Sequence, residues 1–210
     1  MNKIRVLLVD DHAIARNGVR LMLGTADDIE VTGEAGNAQE ALAKIAAEPF
    51  DVAVIDITMP GKNGLDLLKA IRADYAKPAV LILSTYSEEV YAVRALKLGA
   101  AGYLTKDVAT SVLIAAVRKA ASGGKYVSPA MVEKLASMIG GAAPGGHEAL
   151  SDREFEVFKL IARGESLVRI GELLHLSPNT VTTYRTRILE KMGMTTNAEL
   201  TRYALEQGML

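Results

Sequence analysis

The chain has 210 residues, half of them hydrophobic and 23% charged, with a formal net charge of −1 and no cysteine. That length suggests one large domain or two small ones, with enough apolar residues for real cores and against global disorder. The missing cysteines exclude disulfides and thiolate-held metals, while the near-zero charge gives no global sign of a nucleic-acid partner and leaves room only for a local basic stripe.

The first apolar run, 4–9, ends at Asp10-Asp11 and is too short for the hydrophobic region of a signal peptide. No stretch approaches the ~18 apolar residues of a membrane span, so a cytoplasmic protein without a membrane partner is expected. Strands and helices then alternate to about residue 122. Strands are predicted at 4–9, 29–34, 52–55, 80–83 and 102–104, and helices at 13–25, 37–47, 64–74, 88–98 and 108–121. The strands are rich in Val, Ile and Leu and lack the alternation of a half-wet strand, which reads as parallel and buried. In the second helix Ala38, Ala41, Leu42 and Ile45 fall on one stripe. The pattern predicts an α/β fold with a flavodoxin-like, doubly wound, five-stranded parallel sheet over 1–122.

Ser122-Gly123-Gly124 breaks that rhythm, and a Gly-rich run follows at 140–146, so 123–149 reads as a linker with a short helix at 129–139, capped by Ser128. From 150 to 210 the pattern is helical throughout. Ser151 and Glu154 form a capping box ahead of Phe155, Phe158, Leu160 and Ile161. A short helix at 168–174, a turn at His175-Leu176 and a long helix from Ser177-Pro178 to about Met192 make a helix-turn-helix, followed by a last helix at 197–207.

Two sets of polar residues stand out. Asp10, Asp11, Asp56, Ser84 and Lys106 all lie where strands end, and in a doubly wound sheet such ends meet in one crevice. Three carboxylates, with no His or Cys read into the set, offer hard oxygen donors suited to Mg²⁺. Lys106 and Ser84 suit a phosphoryl group, for which a carboxylate can be the nucleophile. On the long helix, Val181, Ile188 and Met192 define the buried side, leaving Asn179, Thr182, Thr183, Thr186 and Arg187 outward for a major groove. Ser177 at the helix start suits a phosphate, Arg187 and Lys191 suit the nucleic-acid backbone, and Arg185 must snorkel to reach it.

The segments LLVDD, DITMPGKNG, LILST and GYLTKD resemble the receiver domain of bacterial response regulators. The resemblance implies that Asp56 accepts a phosphoryl group from a sensor histidine kinase. It implies that Asp11, Asp56 and the Thr58 carbonyl bind Mg²⁺, with Asp10 acting through water. Lys106 and Ser84 would contact the phosphoryl group, and Tyr103 would be an aromatic switch. LSDREFEVFKLIARG, LSPNTVTTYRTRILEKMGM and NAEL resemble the LuxR-type DNA-binding domain of the NarL/FixJ group, which adds Thr180 to the DNA-contacting residues. The implied protein is a transcriptional regulator rather than an enzyme, a homodimer when phosphorylated, acting on double-stranded DNA. One rival, an aspartyl-phosphate phosphohydrolase, needs a general acid where Thr58 stands. Another, a DNA-binding regulator independent of phosphorylation, leaves the filled pocket without a use.

Overall fold

The computed structural model describes residues 3–59, 63–139 and 146–210. Its contacts form two compact units, Met1–Val132 and Glu133–Leu210. Among the described residues no helix is long and apolar enough to cross a membrane.

The first unit alternates β1 (Ile4–Val9), α1 (Ala13–Leu23), β2 (Ile29–Ala35), α2 (Ala38–Ala47), β3 (Val52–Ile55), α3 (Gly64–Asp74), β4 (Ala79–Ser84), α4 (Glu88–Lys97), β5 (Gly102–Thr105) and α5 (Thr110–Ala121). The strands form one parallel sheet in the order β2-β1-β3-β4-β5, the flavodoxin-like arrangement expected from sequence. Successive side chains point to opposite faces. Val6, Leu8, Val52, Val54, Leu81 and Leu83 accordingly gather with Leu23 of α1 and Leu113, Ala116 and Val117 of α5 in one buried cluster. Each fully buried aliphatic side chain there contributes roughly 1.5–3 kcal/mol. Helix α1 stops short of the predicted residue 25, where the Thr25 hydroxyl turns back to donate to the Met22 carbonyl at 2.8 Å.

The segment 123–149 is not wholly a linker. Tyr126 N–H donates to the Ala101 carbonyl at 2.7 Å and Met131 is buried, so its start packs with the first unit. Helix α6 (Pro129–Ile139) follows, with the Ser128 hydroxyl accepting the Met131 N–H at 3.2 Å as a cap. The Gly-rich run at 140–145 lies outside the described residues. Beyond it a 3-10 turn, Gly146–Ala149, packs with the second unit. His147 is 3% exposed and its Nδ1 lies 2.8 Å from the Tyr203 hydroxyl. An imidazole buried against a hydroxyl and the Phe155 ring needs those partners, and a solvated tether would not supply them.

The second unit continues with α7 (Asp152–Ala162), α8 (Leu167–Leu174), α9 (Pro178–Met192) and α10 (Asn197–Glu206). The Ser151–Glu154 capping box starts α7 as the sequence predicts. Val181, Ile188, Leu189 and Met192 of α9 are buried, together with Phe155 and Phe158 of α7, Ile170 of α8, and Leu200 and Ala204 of α10. The α8–α9 turn passes so close to α8 that a Cβ on Gly171 would sit 2.7 Å from the Leu176 carbonyl oxygen, while His175 takes a left-handed φ of 54°. Only glycine fits under that turn.

Candidate functional site

Strand register builds the acidic pocket. Val9 pairs with Ile55, so the next residues, Asp10 and Asp56, stand side by side at the crevice where strand order reverses. The Asp56 N–H donates to the Val9 carbonyl at 2.8 Å, and the Asp10 N–H to that of Ala35 at 3.1 Å. Across the crevice Ser84 pairs with Thr105, and the Lys106 N–H donates to the Ser84 carbonyl at 2.8 Å. Residues almost a hundred apart in the chain thus meet within hydrogen-bond distance.

Lys106 Nζ lies 2.6 Å from Asp10 Oδ2 and 3.0 Å from Asp56 Oδ2. One ammonium is therefore shared by two buried carboxylates, with Asp11 beside them at the rim. Burial pushes the Asp56 carboxyl above its ordinary range, and Asp10 adds to that against the opposing pull of Lys106. Burial also works against the charge on Lys106, yet the hydrogen bonds it donates to Asp10 and Asp56 outweigh that and raise the group too. Burial chiefly raises Asp56, the two carboxylates raise Lys106, and the pocket holds more negative charge than its lysine neutralises. Asp56 is 4% exposed, and its Oδ1 is buried without a hydrogen-bond partner. An orphaned carboxylate oxygen in a surplus of negative charge, among oxygen donors, fits a hard divalent cation such as Mg²⁺.

Other expected residues lie close by. Thr58 is exposed, and its backbone N–H stabilises the Asp56 carboxylate. Ser84 is fully buried, and its hydroxyl accepts the Tyr86 N–H at 3.2 Å. Tyr103 is buried as well, its hydroxyl donating to the Tyr86 carbonyl at 2.7 Å. Desolvation pushes that phenol far up, with a bond to Ser84 opposing the shift.

Three residues escaped the sequence reading. His12 belongs to the acidic cluster, with Nδ1 2.9 Å from Asp11 Oδ1 and 3.4 Å from Asp10 Oδ1. The expectation of a set without histidine is thereby corrected, and adjacency to the Asp pair was the available signal. Arg16 donates through Nη1 to the Asp10 carbonyl and through Nε to Glu34 at 3.3 Å, pinning the backbone beneath the carboxylates. Gly64 opens α3 directly against Asp56: a Cβ there would lie 2.1 Å from the Asp56 carbonyl oxygen.

On α9 the structure divides the expected DNA-contact residues. Asn179, Thr182, Thr183, Thr186 and Arg187 are exposed. Ser177 caps the helix by accepting the Thr180 N–H at 3.2 Å, and its hydroxyl meets that of Thr180 at 2.8 Å. Arg185 is half-buried, its Nε donating to Asn197 Oδ1 at 2.6 Å. Lys191 Nζ lies 2.6 Å from Glu154 Oε2, the buried carboxylate of the α7 capping box. Burial alone would raise Glu154, but its bonds to Lys191 and Ser151 prevail and hold it below the usual range. Arg187 makes no ion pair among the described residues.

A five-stranded parallel domain with an acidic crevice, joined to a helix-turn-helix, defines a signal-receiving DNA-binding regulator. Residues 6–118 match the response regulator receiver domain family, and residues 148–204 match the luxR family of bacterial regulatory proteins. The chain belongs to the two-component response regulators that carry a LuxR-type DNA-binding domain. It is 34% identical over 208 residues to the response regulator GacA of Pseudomonas protegens, covering 99% of this chain and 98% of that protein. It is 36% identical over 208 residues to the transcriptional regulatory protein MctR of Rhizobium johnstonii, covering 99% and 96%. Among solved structures it resembles the response regulator ChrA of a heme-sensing two-component system, at 33% identity over the whole of both chains with a TM-score of 0.56. It also resembles RcsB of Salmonella enterica serovar Typhimurium, bound to promoter P1flhDC with the phosphomimetic BeF3⁻. There the identity is 25% and the TM-score 0.74, covering 96% of this chain and 98% of that one.

Proposed function

We propose that this is a cytoplasmic protein in which Asp56 is the phosphoacceptor and that its phosphorylation, by a sensor histidine kinase, governs DNA binding by the second unit. The observation that carries the reading is the division of the Asp56 carboxylate: Oδ2 engages Lys106 at 3.0 Å while the buried Oδ1 has no partner. The Asp56 carboxylate is the nucleophile. It forms a P–O bond as the P–N bond to the kinase histidine breaks, and the electron pair of that bond leaves with the imidazole. Asp11, Asp56 and the Thr58 carbonyl would hold Mg²⁺, with Asp10 contributing through water. The ion supplies charge neutralisation to the transferring phosphoryl oxygens. Lys106, already seated between the two carboxylates, turns its ammonium to a phosphoryl oxygen, and the Ser84 hydroxyl adds a hydrogen bond. Tyr103 and the Ser84–Tyr86 segment then register the new charge.

The output is a shift of population toward a DNA-binding homodimer. Taking a state from 1:99 to 99:1 needs about 5.5 kcal/mol of differential stabilisation, to which a buried, near-dianionic group contributes. Asn179, Thr182, Thr183 and Thr186 face the bases, while Ser177, Thr180 and Arg187 face the phosphates of double-stranded DNA. Arg185 and Lys191 orient the helix through Asn197 and Glu154. The promoter-bound, BeF3⁻-containing RcsB structure supports this reading by likeness. In this proposal residues 1–122 are the receiver, 150–210 the DNA-binding domain and the stretch between them their connection.

The test is intact-mass measurement after incubation with Mg²⁺ and a small phosphodonor. An adduct of about 80 Da is expected, absent from Asp56→Ala. Persistence of the adduct in that variant defeats the assignment.

A further inference from the structure

We infer that His12 turns the rim of the acidic pocket into a mixed oxygen–nitrogen site that takes a first-row transition ion, such as Ni²⁺ or Mn²⁺, in preference to Mg²⁺. His12 Nδ1 lies 2.9 Å from Asp11 Oδ1 and 3.4 Å from Asp10 Oδ1. Donor atoms sharing one ion at ~2.1 Å stand about 3.0 Å apart when cis in an octahedron and about 3.4 Å apart in a tetrahedron. His12 Nδ1 therefore stands from each of the two carboxylate oxygens at a separation that two ligands of one ion can have. Donor atoms of Asp10, Asp11, His12 and Asp56 all fall within 4.8 Å of one another.

The pairing of the oxygens points the same way. Lys106 engages Oδ2 of Asp10 and Oδ2 of Asp56, so the Oδ1 atoms are the ones left for a cation. Asp10 Oδ1 accepts the His12 backbone N–H at 2.7 Å, and the buried Asp56 Oδ1 has no hydrogen-bond partner among the described residues. The imidazole itself does no work for its helix. It sits at the N-cap of α1 without a side-chain capping bond, and it is 68% exposed, yet its nitrogen turns toward the carboxylates. Imidazole nitrogen is a borderline donor that favours ions rising through Mn²⁺, Co²⁺ and Ni²⁺, whereas Mg²⁺ prefers oxygen alone. His12 would thus separate ions that the carboxylates by themselves bind on charge.

This inference rests on the pocket being a divalent-cation site, and one experiment separates the two. The full chain and His12→Phe are each titrated calorimetrically with MgCl₂ and with NiCl₂, and their Mn²⁺ complexes are examined by electron spin echo spectroscopy. The expected result is an at least tenfold weaker Ni²⁺ affinity in His12→Phe, with Mg²⁺ affinity within about twofold of the parent. A nitrogen coupling present in the parent Mn²⁺ complex should vanish in the variant. Retained Mg²⁺ binding shows that the variant is folded. Unchanged Ni²⁺ affinity, an equal loss for both ions, or no nitrogen coupling in the parent overturns the role of His12 alone. Failure of the parent to bind Mg²⁺ overturns the cation pocket and this inference with it.

Discussion

Asp56 carries a charge its surroundings do not favour. Its carboxyl is raised above the ordinary value of 3.8 chiefly by burial, so the folded chain holds that proton more tightly than the unfolded chain does. The resulting stabilisation is full at low pH and is lost as pH rises through the folded value, leaving a net cost near neutrality. Asp56→Asn, without metal, should therefore melt at a higher temperature than the parent at neutral pH, with the two curves converging in acid. A thermal scan across pH reads this directly. The basic residues of α9 separate by the same kind of reasoning. Lys191→Ala leaves the buried Glu154 carboxylate unpaired and should cost about 2 kcal/mol of stability in the second unit. Arg187→Ala should leave stability within about 0.5 kcal/mol while lowering the log–log salt slope of DNA binding by about one. Denaturation and salt-dependent binding curves on both variants distinguish a fastener from a contact. Which residue was which was not legible in the sequence. A helical wheel gives direction but not partner, and Glu154 lies 37 residues away.

At the scale of elements, the sequence carried the strands, their parallel pairing and the capping boxes, because each rests on local chemistry. It could not carry Gly64 or Arg16. The need for glycine at α3 comes from the approach of a backbone in another element, and Arg16 binds a main-chain carbonyl, which side-chain patterns do not disclose. His12 was missed for a different reason: a histidine beside an aspartate pair reads as a helix start until its ring orientation is known. Gly64→Ala should force α3 off Asp56, since a Cβ at 2.1 Å from a carbonyl oxygen cannot be accommodated by a side-chain rotation. The expected cost is roughly 1–3 kcal/mol, together with slower phosphorylation from a small phosphodonor. Urea unfolding and time-resolved mass measurement check both parts. The tether over 123–149 was overcalled because Gly-rich flanks hid two anchored ends, at Tyr126 and at His147.

For the whole molecule, pocket and reading helix belong to different compact units, so the signal must pass as a change in which arrangements of the chain are populated. DNA affinity of the parent should rise on phosphorylation, while Asp56→Ala keeps the basal affinity and shows no rise. Equilibrium binding to an operator fragment, with and without phosphodonor, measures this. The pairing of Val9 with Ile55 has a mechanical consequence. Because Asp10 and Asp56 stand one residue past paired positions on neighbouring strands, their spacing is gauged by the ~4.8 Å between strands. Main-chain hydrogen bonding, rather than side-chain packing, is the calliper. A core substitution can soften the domain considerably and still leave that gauge true until the sheet itself parts, so sensitivity to signal should outlast much of the loss in stability.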